Sequence, residues 1–144
     1  MKKIVVIYWS GTGNTQQMAM AVAEGSRSTE AEIILKDVSS ASLQDVQNAD
    51  AVALGCPSMG SEVLEESEME PFVQSLEGLD LKAKPMVLFG SYDWGDGQWL
   101  TDWEERMKGL GVKLADSGLK IHTTPDEEGL QLCRKLGHRL LSSI

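Results

Sequence analysis

Residues 4–15 read IVVIYWSGTGNT, an apolar run that passes directly into small and hydroxylated residues. Residues 4–8 do not alternate polar with apolar side chains, which is typical of a strand buried on both faces of a parallel sheet. A helical pattern follows, with Met18, Ala21, Val22 and Gly25 on one face. The stretch therefore predicts a buried strand, a tight turn and an amphipathic helix, which is the first unit of an α/β fold.

Apolar runs and helical patterns continue to alternate along the rest of the chain. The further runs lie at residues 33–35, 51–56, 85–90, 112–115 and 119–121. The last helix is expected to take Thr124 as its cap and Pro125 as its first residue. The alternation predicts one domain over residues 1–144, a doubly wound three-layer α/β/α sandwich around a five-stranded parallel sheet.

The chain of 144 residues is acidic, with 13 Lys and Arg against 22 Asp and Glu and a formal net charge of -9. Nucleic acids and anionic membranes attract cations, so neither is an expected partner, whereas basic protein surfaces are. The two cysteines, Cys56 and Cys133, form no metal-binding or Cys-x-x-Cys spacing, which favours a reducing compartment. The chain carries no signal-peptide pattern, and we expect a cytoplasmic protein.

Ligands of doubly wound folds bind beyond the carboxyl ends of the strands, which makes the loop after the first strand a candidate site. This loop, the phosphate loop, reads Ser10-Gly11-Thr12-Gly13-Asn14-Thr15. Its glycines allow backbone N–H groups to converge at a helix N-terminus, and its hydroxyls add donors. Gln16 and Gln17 replace the residues that a dinucleotide fingerprint or a Walker A loop requires. The loop predicts a monophosphate held by neutral donors, and a plain capped turn is the alternative.

Two further loops follow the third and fourth strands. The Met59 loop reads Pro57-Ser58-Met59-Gly60-Ser61-Glu62, and the Trp94 loop reads Ser91-Tyr92-Asp93-Trp94-Gly95. Tyr92 and Trp94 fall outside any helical or strand period and can present a flat face to a flat ligand, with Met59 on the other side. A half-buried structural role is the alternative for Trp94.

Acidic residues are concentrated around the second and third loops. Residues 61–70 and 93–105 contain 10 of the 22 acids and no Lys or Arg. Such a charge run is ordinarily a solvated face. Because these two runs flank the predicted ligand, we expect them to act on it electrostatically.

In this order, the three loops resemble those of the short-chain flavodoxins, and the resemblance covers the whole chain. It implies a flavodoxin-like sandwich with strand order 2-1-3-4-5 and one noncovalently bound FMN. It also implies that residues 10–15 hold the FMN phosphate and that Met59 and Trp94 enclose the isoalloxazine. Glu62 would accept a hydrogen bond from the ring N3–H, and the Gly60 carbonyl would turn toward the flavin N5 on reduction.

The resemblance implies a one-electron carrier that is not an enzyme with its own substrate. The carrier would shuttle between the FMN semiquinone and hydroquinone at low potential, because acid-rich loops without cations disfavour an anionic hydroquinone. Its partners would be redox proteins with a basic face, namely ferredoxin-type electron donors and acceptors. The carrier would be a monomer and would bind these partners transiently. Two alternatives stay open: a flavodoxin-like FMN-dependent reductase or radical-enzyme activator, and a phosphate-binding regulatory domain.

Three positions have no role that the resemblance implies. Asp93 stands where the stacking loop of the family commonly has glycine, so the pose of the Trp94 loop does not follow from the resemblance. His122 and His138 show no metal-ligand spacing, and we expect both to be ordinary surface or boundary residues.

Overall fold

A computed structural model describes residues 1–144, in which strands and helices alternate. The elements in chain order are β1 (Lys2–Tyr8), α1 (Asn14–Gly25), β2 (Ala31–Asp37), α2 (Leu43–Asn48), β3 (Ala51–Gly55), α3 (Met69–Ser75), β4 (Pro85–Tyr92), α4 (Gln98–Gly109), β5 (Lys113–Leu114), β6 (Leu119–His122) and α5 (Glu127–Ser142). Every strand pairing is parallel, as expected where helices connect successive strands.

The sheet has the strand order β2-β1-β3-β4-β5, and β6 also pairs with β4. The predicted fold class and order are therefore confirmed, but the fifth strand is split into two short segments. Between them, the amide of Ser117 donates to Asp116 Oδ1 (2.8 Å) and the amide of Gly118 donates to Glu104 Oε2 (3.1 Å). Because these amides bind side chains, they cannot continue the ladder with β4.

The core lies on both faces of the sheet, as the apolar run of β1 predicts. Val5 and Ile7 pack on one face with side chains from α3 and α4, while Ile4 and Val6 pack on the other face with α1 and α5. This alternation follows from the two-residue period of a strand. Covering both faces leaves the ends of the strands as the accessible part of the sheet.

The last helix begins later than the sequence predicts. Asp126 is its N-cap, accepting a hydrogen bond from the Gly129 amide at 2.8 Å, so the assignment of Thr124 as cap is wrong. Pro125 precedes the cap and does not occupy the first helical position. A carboxylate cap satisfies an orphan amide and also interacts favourably with the helix dipole, which explains the later start. None of the helices combines the length and the apolar character that crossing a bilayer demands.

Candidate cofactor-binding site

The carboxyl ends of β1, β3 and β4 bring the three predicted loops together around one cleft. The cleft is lined by Trp9, Ser10, Gly11, Thr12, Asn14, Thr15, Pro57, Ser58, Met59, Ser91, Tyr92 and Asp93. The other predicted residues lie in the same loops but not on the cleft wall: Gly13, Gly60, Ser61, Glu62, Trp94 and Gly95. Trp9 was missed by the sequence analysis, although its position directly after the buried first strand is a usable signal.

The phosphate loop presents backbone amides that have no acceptor in the protein. Gly13 is the N-cap of α1 and has a φ of 99°, a conformation that glycine adopts without penalty. Ser10 Oγ accepts from the Gly13 amide (3.1 Å), and Thr12 Oγ1 accepts from the Asn14 amide (3.5 Å). The remaining amides of the turn donate to no protein acceptor: those of Ser10, Gly11, Thr12, Thr15 and Gln16. Free amides at the start of a helix fit a phosphate group.

Two buried hydroxyl groups join this loop to β4. Thr15 Oγ1 lies 2.9 Å from Ser91 Oγ, and the Ser91 amide donates to Thr15 Oγ1 at 3.4 Å. Both side chains are nearly inaccessible to solvent. The pair fixes the start of α1 against the strand that carries the Trp94 loop.

The Met59 loop is a tight hairpin. Met59 and Val63 exchange backbone hydrogen bonds of 2.9 and 3.0 Å. Gly60 has a φ of 48° and Glu62 a φ of 56°, so the turn between them uses left-handed backbone twice. Glycine adopts this conformation freely, whereas Glu62 needs contacts elsewhere to hold it.

Glu62 provides such contacts by joining the Met59 loop to the Trp94 loop. Its Oε1 accepts from the amides of Gly97 (3.2 Å) and Gln98 (3.0 Å) at the beginning of α4. The carboxylate thus caps α4, while Oε2 makes no hydrogen bond within the protein. The role of Glu62 toward a flavin N3–H stays a prediction, and Oε2 is the atom available for it.

A buried carboxylate anchors the segment that follows this hairpin. Glu65 accepts from the amides of Ser67, Glu68 and Met69 and from the Ser67 hydroxyl. Burial alone raises the pKa of Glu65, but these hydrogen bonds outweigh it and hold the pKa below its ordinary value of 4.5. The Glu65 amide also donates to Cys56 Sγ at 3.4 Å, and burial raises the pKa of that thiol to about 12. Cys56 is therefore a structural thiol beside the Met59 loop.

Glu65→Gln is expected to destabilise the protein at neutral pH and to weaken the loss of stability in acid. The lowered pKa means that the ionised Glu65 contributes its full stabilisation above pH 4.5 and loses it as the pH falls through the folded-state pKa. Glutamine does not titrate, so this part of the pH dependence disappears. Urea unfolding followed between about pH 3 and pH 7 measures it. If the free energy of unfolding changed equally with pH in wild type and variant, the stabilising role assigned to the ionised Glu65 would be contradicted.

The Trp94 loop presents an indole that the protein does not cover. The Trp94 side chain is 61% exposed, whereas Trp99 is buried and donates to the Cys56 carbonyl at 3.1 Å. Asp93 keeps a negative φ, so an aspartate fits here without backbone strain. An uncovered aromatic face beside a cleft is suited to stacking on a flat ligand.

The walls of the cleft carry no basic side chain. Arg106, on α4, is bound to both carboxylate oxygens of Glu70 at 2.8 and 2.7 Å. His122 is exposed, as expected of a surface or boundary residue, and its Nε2 lies 2.9 Å from the Asp93 carbonyl oxygen. Arg106 is thus occupied by a protein acceptor.

An open parallel sheet with free amides and an exposed indole at the ends of its strands defines a doubly wound protein of the nucleotide-binding class. A family model described as Flavodoxin matches residues 6–137. The flavodoxin of Clostridium beijerinckii is 42% identical over 94% of this chain and 96% of its own length. The solution structure of two-electron reduced Megasphaera elsdenii flavodoxin is 35% identical, with a TM-score of 0.85 over 96% of this chain and 98% of that one. The chain belongs to the flavodoxin family.

Family membership confirms an electron carrier that uses FMN and acts with redox partners. A further similarity is to a nitric oxide reductase of Moorella thermoacetica, which is 31% identical over 99% of this chain. This chain spans only 36% of that longer protein, whereas it spans nearly all of the two flavodoxins. The reductase or activator alternative is therefore not favoured.

Proposed function

We propose that the three loops hold FMN noncovalently and that the carrier works at low potential. The observation that carries the proposal is the set of acceptor-free amides in the phosphate loop, at one end of a cleft without basic side chains. FMN, when bound, supplies one-electron chemistry. Residues 10–15 bind its phosphate through neutral donors, Met59 and Trp94 contact the two faces of its ring, and Glu62 Oε2 accepts from N3–H.

The low potential follows from the charges around the cleft. Glu62, Glu68 and Asp93 lie in or beside its loops. The ammonium group of Lys120 donates to the Asp96 carbonyl and offsets part of this negative charge. A carboxylate about 10 Å from added negative charge costs ~1.7 kcal/mol at an effective dielectric near 20, or ~70 mV for one electron. Salt screens the exposed carboxylates, so each of them contributes less than this. The acids together oppose addition of the second electron.

We also propose that the acidic surface around the cleft binds basic redox proteins transiently. Trp94 and Val63 are exposed there, at 61% and 42%, beside the acidic residues 61–70 and 93–105. An exposed apolar centre with an anionic rim suits a brief encounter with a cationic partner. A monomer leaves this surface free, and two buried, unpaired cysteines suit the reducing cytoplasm.

The rate of electron transfer to a basic redox protein is expected to fall at least tenfold as the ionic strength rises from about 0.01 M to about 0.5 M, because salt shortens the range of the attraction. Stopped-flow kinetics with the reduced holoprotein measures this rate. An uncharged quinone serves as the control acceptor, since its rate should change little. Equal salt dependence for the two acceptors would contradict the docking proposal.

Gly60→Ala is expected to narrow the gap between the two one-electron potentials more than it weakens binding of oxidised FMN. No atom lies within 4 Å of an added Cβ at Gly60, so alanine meets only a backbone penalty of about 1–2 kcal/mol at positive φ. Alanine also has fewer backbone conformations open to it than glycine, which restricts the proposed rotation of the Gly60 carbonyl. Potentiometric titration and FMN dissociation constants give the two quantities. If the gap between the potentials and the affinity for oxidised FMN fell by equal free energies, the proposed carbonyl rotation would be contradicted.

The proposal as a whole is tested with apoprotein and FMN followed by stepwise reduction. We expect one FMN per chain and two separate one-electron steps, the second at a strongly negative potential. NAD(P)H alone should not reduce the holoprotein at a catalytic rate. A single two-electron step would contradict the carrier mechanism, and turnover of NAD(P)H without a partner protein would support the reductase alternative.

A further inference from the structure

The part of the Trp94 loop that follows β4 has no backbone–backbone hydrogen bonds. Residues 93–96 form no backbone–backbone hydrogen bond through either their amides or their carbonyls. Gly95 and Gly97 have φ values of 87° and 96°. Because glycine has no Cβ, these two residues also widen the range of conformations open to the segment. Side chains from other parts of the chain must therefore hold this loop in place.

Two of these side chains come from β6. His122 Nε2 lies 2.9 Å from the Asp93 carbonyl oxygen, and Lys120 Nζ donates to the Asp96 carbonyl at 2.6 Å. These are the only hydrogen bonds made to the backbone of residues 93–96. The two anchors thus hold the first and the last carbonyl of the segment that carries Trp94.

The strand geometry explains why both side chains reach the same loop. Lys120 and His122 are two residues apart on β6 and therefore lie on one face of the sheet, while Leu119 and Ile121 pack into the core on the other face. Tyr92 is paired with His122 in the β4–β6 register, with ring centroids 5.2 Å apart. The end of β6 is therefore fixed directly beside the point where the Trp94 loop leaves β4.

We propose that His122 and Lys120 are positioning residues that set the pose of the Trp94 indole toward the cofactor. The inference rests on the proposed function, because it assumes that Trp94 contacts FMN. Each residue acts through a backbone carbonyl of the loop, and neither needs to touch the ligand. Glu62 holds the far end of the same loop at the Gly97 and Gln98 amides, so the loop is fixed at three points.

The first test measures loop order in the apoprotein, without cofactor. In wild type, we expect ¹⁵N order parameters for the amides of residues 94–96 near the rigid value of about 0.85. His122→Ala and Lys120→Met should lower them below about 0.6. His122→Gln keeps a side-chain donor and should restore wild-type order. His138→Ala is the matched control, since the His138 side chain makes no hydrogen bond.

The second test measures FMN affinity of the same variants by quenching of flavin fluorescence. His122→Ala should weaken binding about tenfold, the weight of one lost hydrogen bond, and His122→Gln and His138→Ala should stay within about twofold of wild type. Unchanged loop order and unchanged affinity in both His122→Ala and Lys120→Met would overturn the inference. If one of these two variants fails to fold, the other decides.

The two tests separate this inference from the proposed function. Failure of wild-type protein to bind FMN would refute the proposed function, while the order parameters would still show whether β6 holds the loop. Tight FMN binding by wild type together with unaltered loop order in the variants would refute the positioning role alone. Loss of order that His122→Gln does not restore would also count against it, since the donor would then not be the cause.

Discussion

Gly137→Ala is expected to lower the free energy of unfolding by about 2–3 kcal/mol, as overpacking does where the backbone cannot move. An added Cβ at Gly137, on α5, would lie 2.1 Å from the Val22 carbonyl oxygen of α1. Gly25 makes the reciprocal approach, with its Cβ position 1.9 Å from the Arg134 carbonyl oxygen. The two helices therefore touch backbone to backbone, and a methyl group forces them apart.

Gly109→Ala is the matched control for this effect. Gly109 is the last residue of α4, and no atom lies within 4 Å of an added Cβ there. Alanine should leave stability unchanged or raise it by up to about 1 kcal/mol through its higher helix propensity. Urea unfolding of both variants provides the comparison. If Gly137→Ala lowered the free energy of unfolding by no more than Gly109→Ala changes it, α1 and α5 would be able to move apart without a loss of stability.

Gly95→Ala is expected to weaken FMN binding at least tenfold, because it disturbs two loops at once. The φ of Gly95 is 87°, and its added Cβ would lie 2.5 Å from Glu62 Cδ. To relieve this contact, the Glu62 carboxylate must leave the Gly97 and Gln98 amides. Loss of hydrogen bonds to a charged group costs about 1.5–3 kcal/mol, which corresponds to a factor of ten or more if the loops must be reordered on binding.

Gly60→Ala serves as the control for Gly95→Ala in oxidised FMN binding. Both glycines have positive φ, but only Gly95 has a neighbour within contact distance of an added Cβ. Fluorescence titration of the two apoproteins separates the steric effect from backbone strain. Similar affinities for the two variants would mean that Glu62 does not couple the loops. Glu62→Gln, which keeps an acceptor oxygen, should bind FMN more tightly than Gly95→Ala.

The fold and the site loops could be predicted from the sequence because their signals are local. The apolar run of β1 and the glycines and hydroxyls of the phosphate loop lie within twelve consecutive residues, and the family resemblance supplied the strand order. The prediction for Trp94 was made in the same way, since an aromatic residue outside any period needs a reason other than the core. Each of these inferences depends on neighbours in the chain.

The contacts that the sequence did not reveal all join distant residues. His122 contacts Asp93 across 29 positions, and Lys120 contacts Asp96 across 24. Neither pair has a periodicity, and both depend on the exact register of β6 against β4. The split of the fifth strand and the Asp126 cap were missed for a related reason: side-chain acceptors decided where the backbone amides bond.

The most direct test of the phosphate loop compares FMN with riboflavin, which lacks only the phosphate. The free amides of residues 10–16 are predicted to bind that phosphate, so the apoprotein should bind FMN at least about 100-fold more tightly, the weight of two hydrogen bonds to a charged group. Titration of the apoprotein with each flavin, followed by fluorescence quenching, gives both dissociation constants. Equal affinities for FMN and riboflavin would contradict the central claim that this loop is the phosphate site.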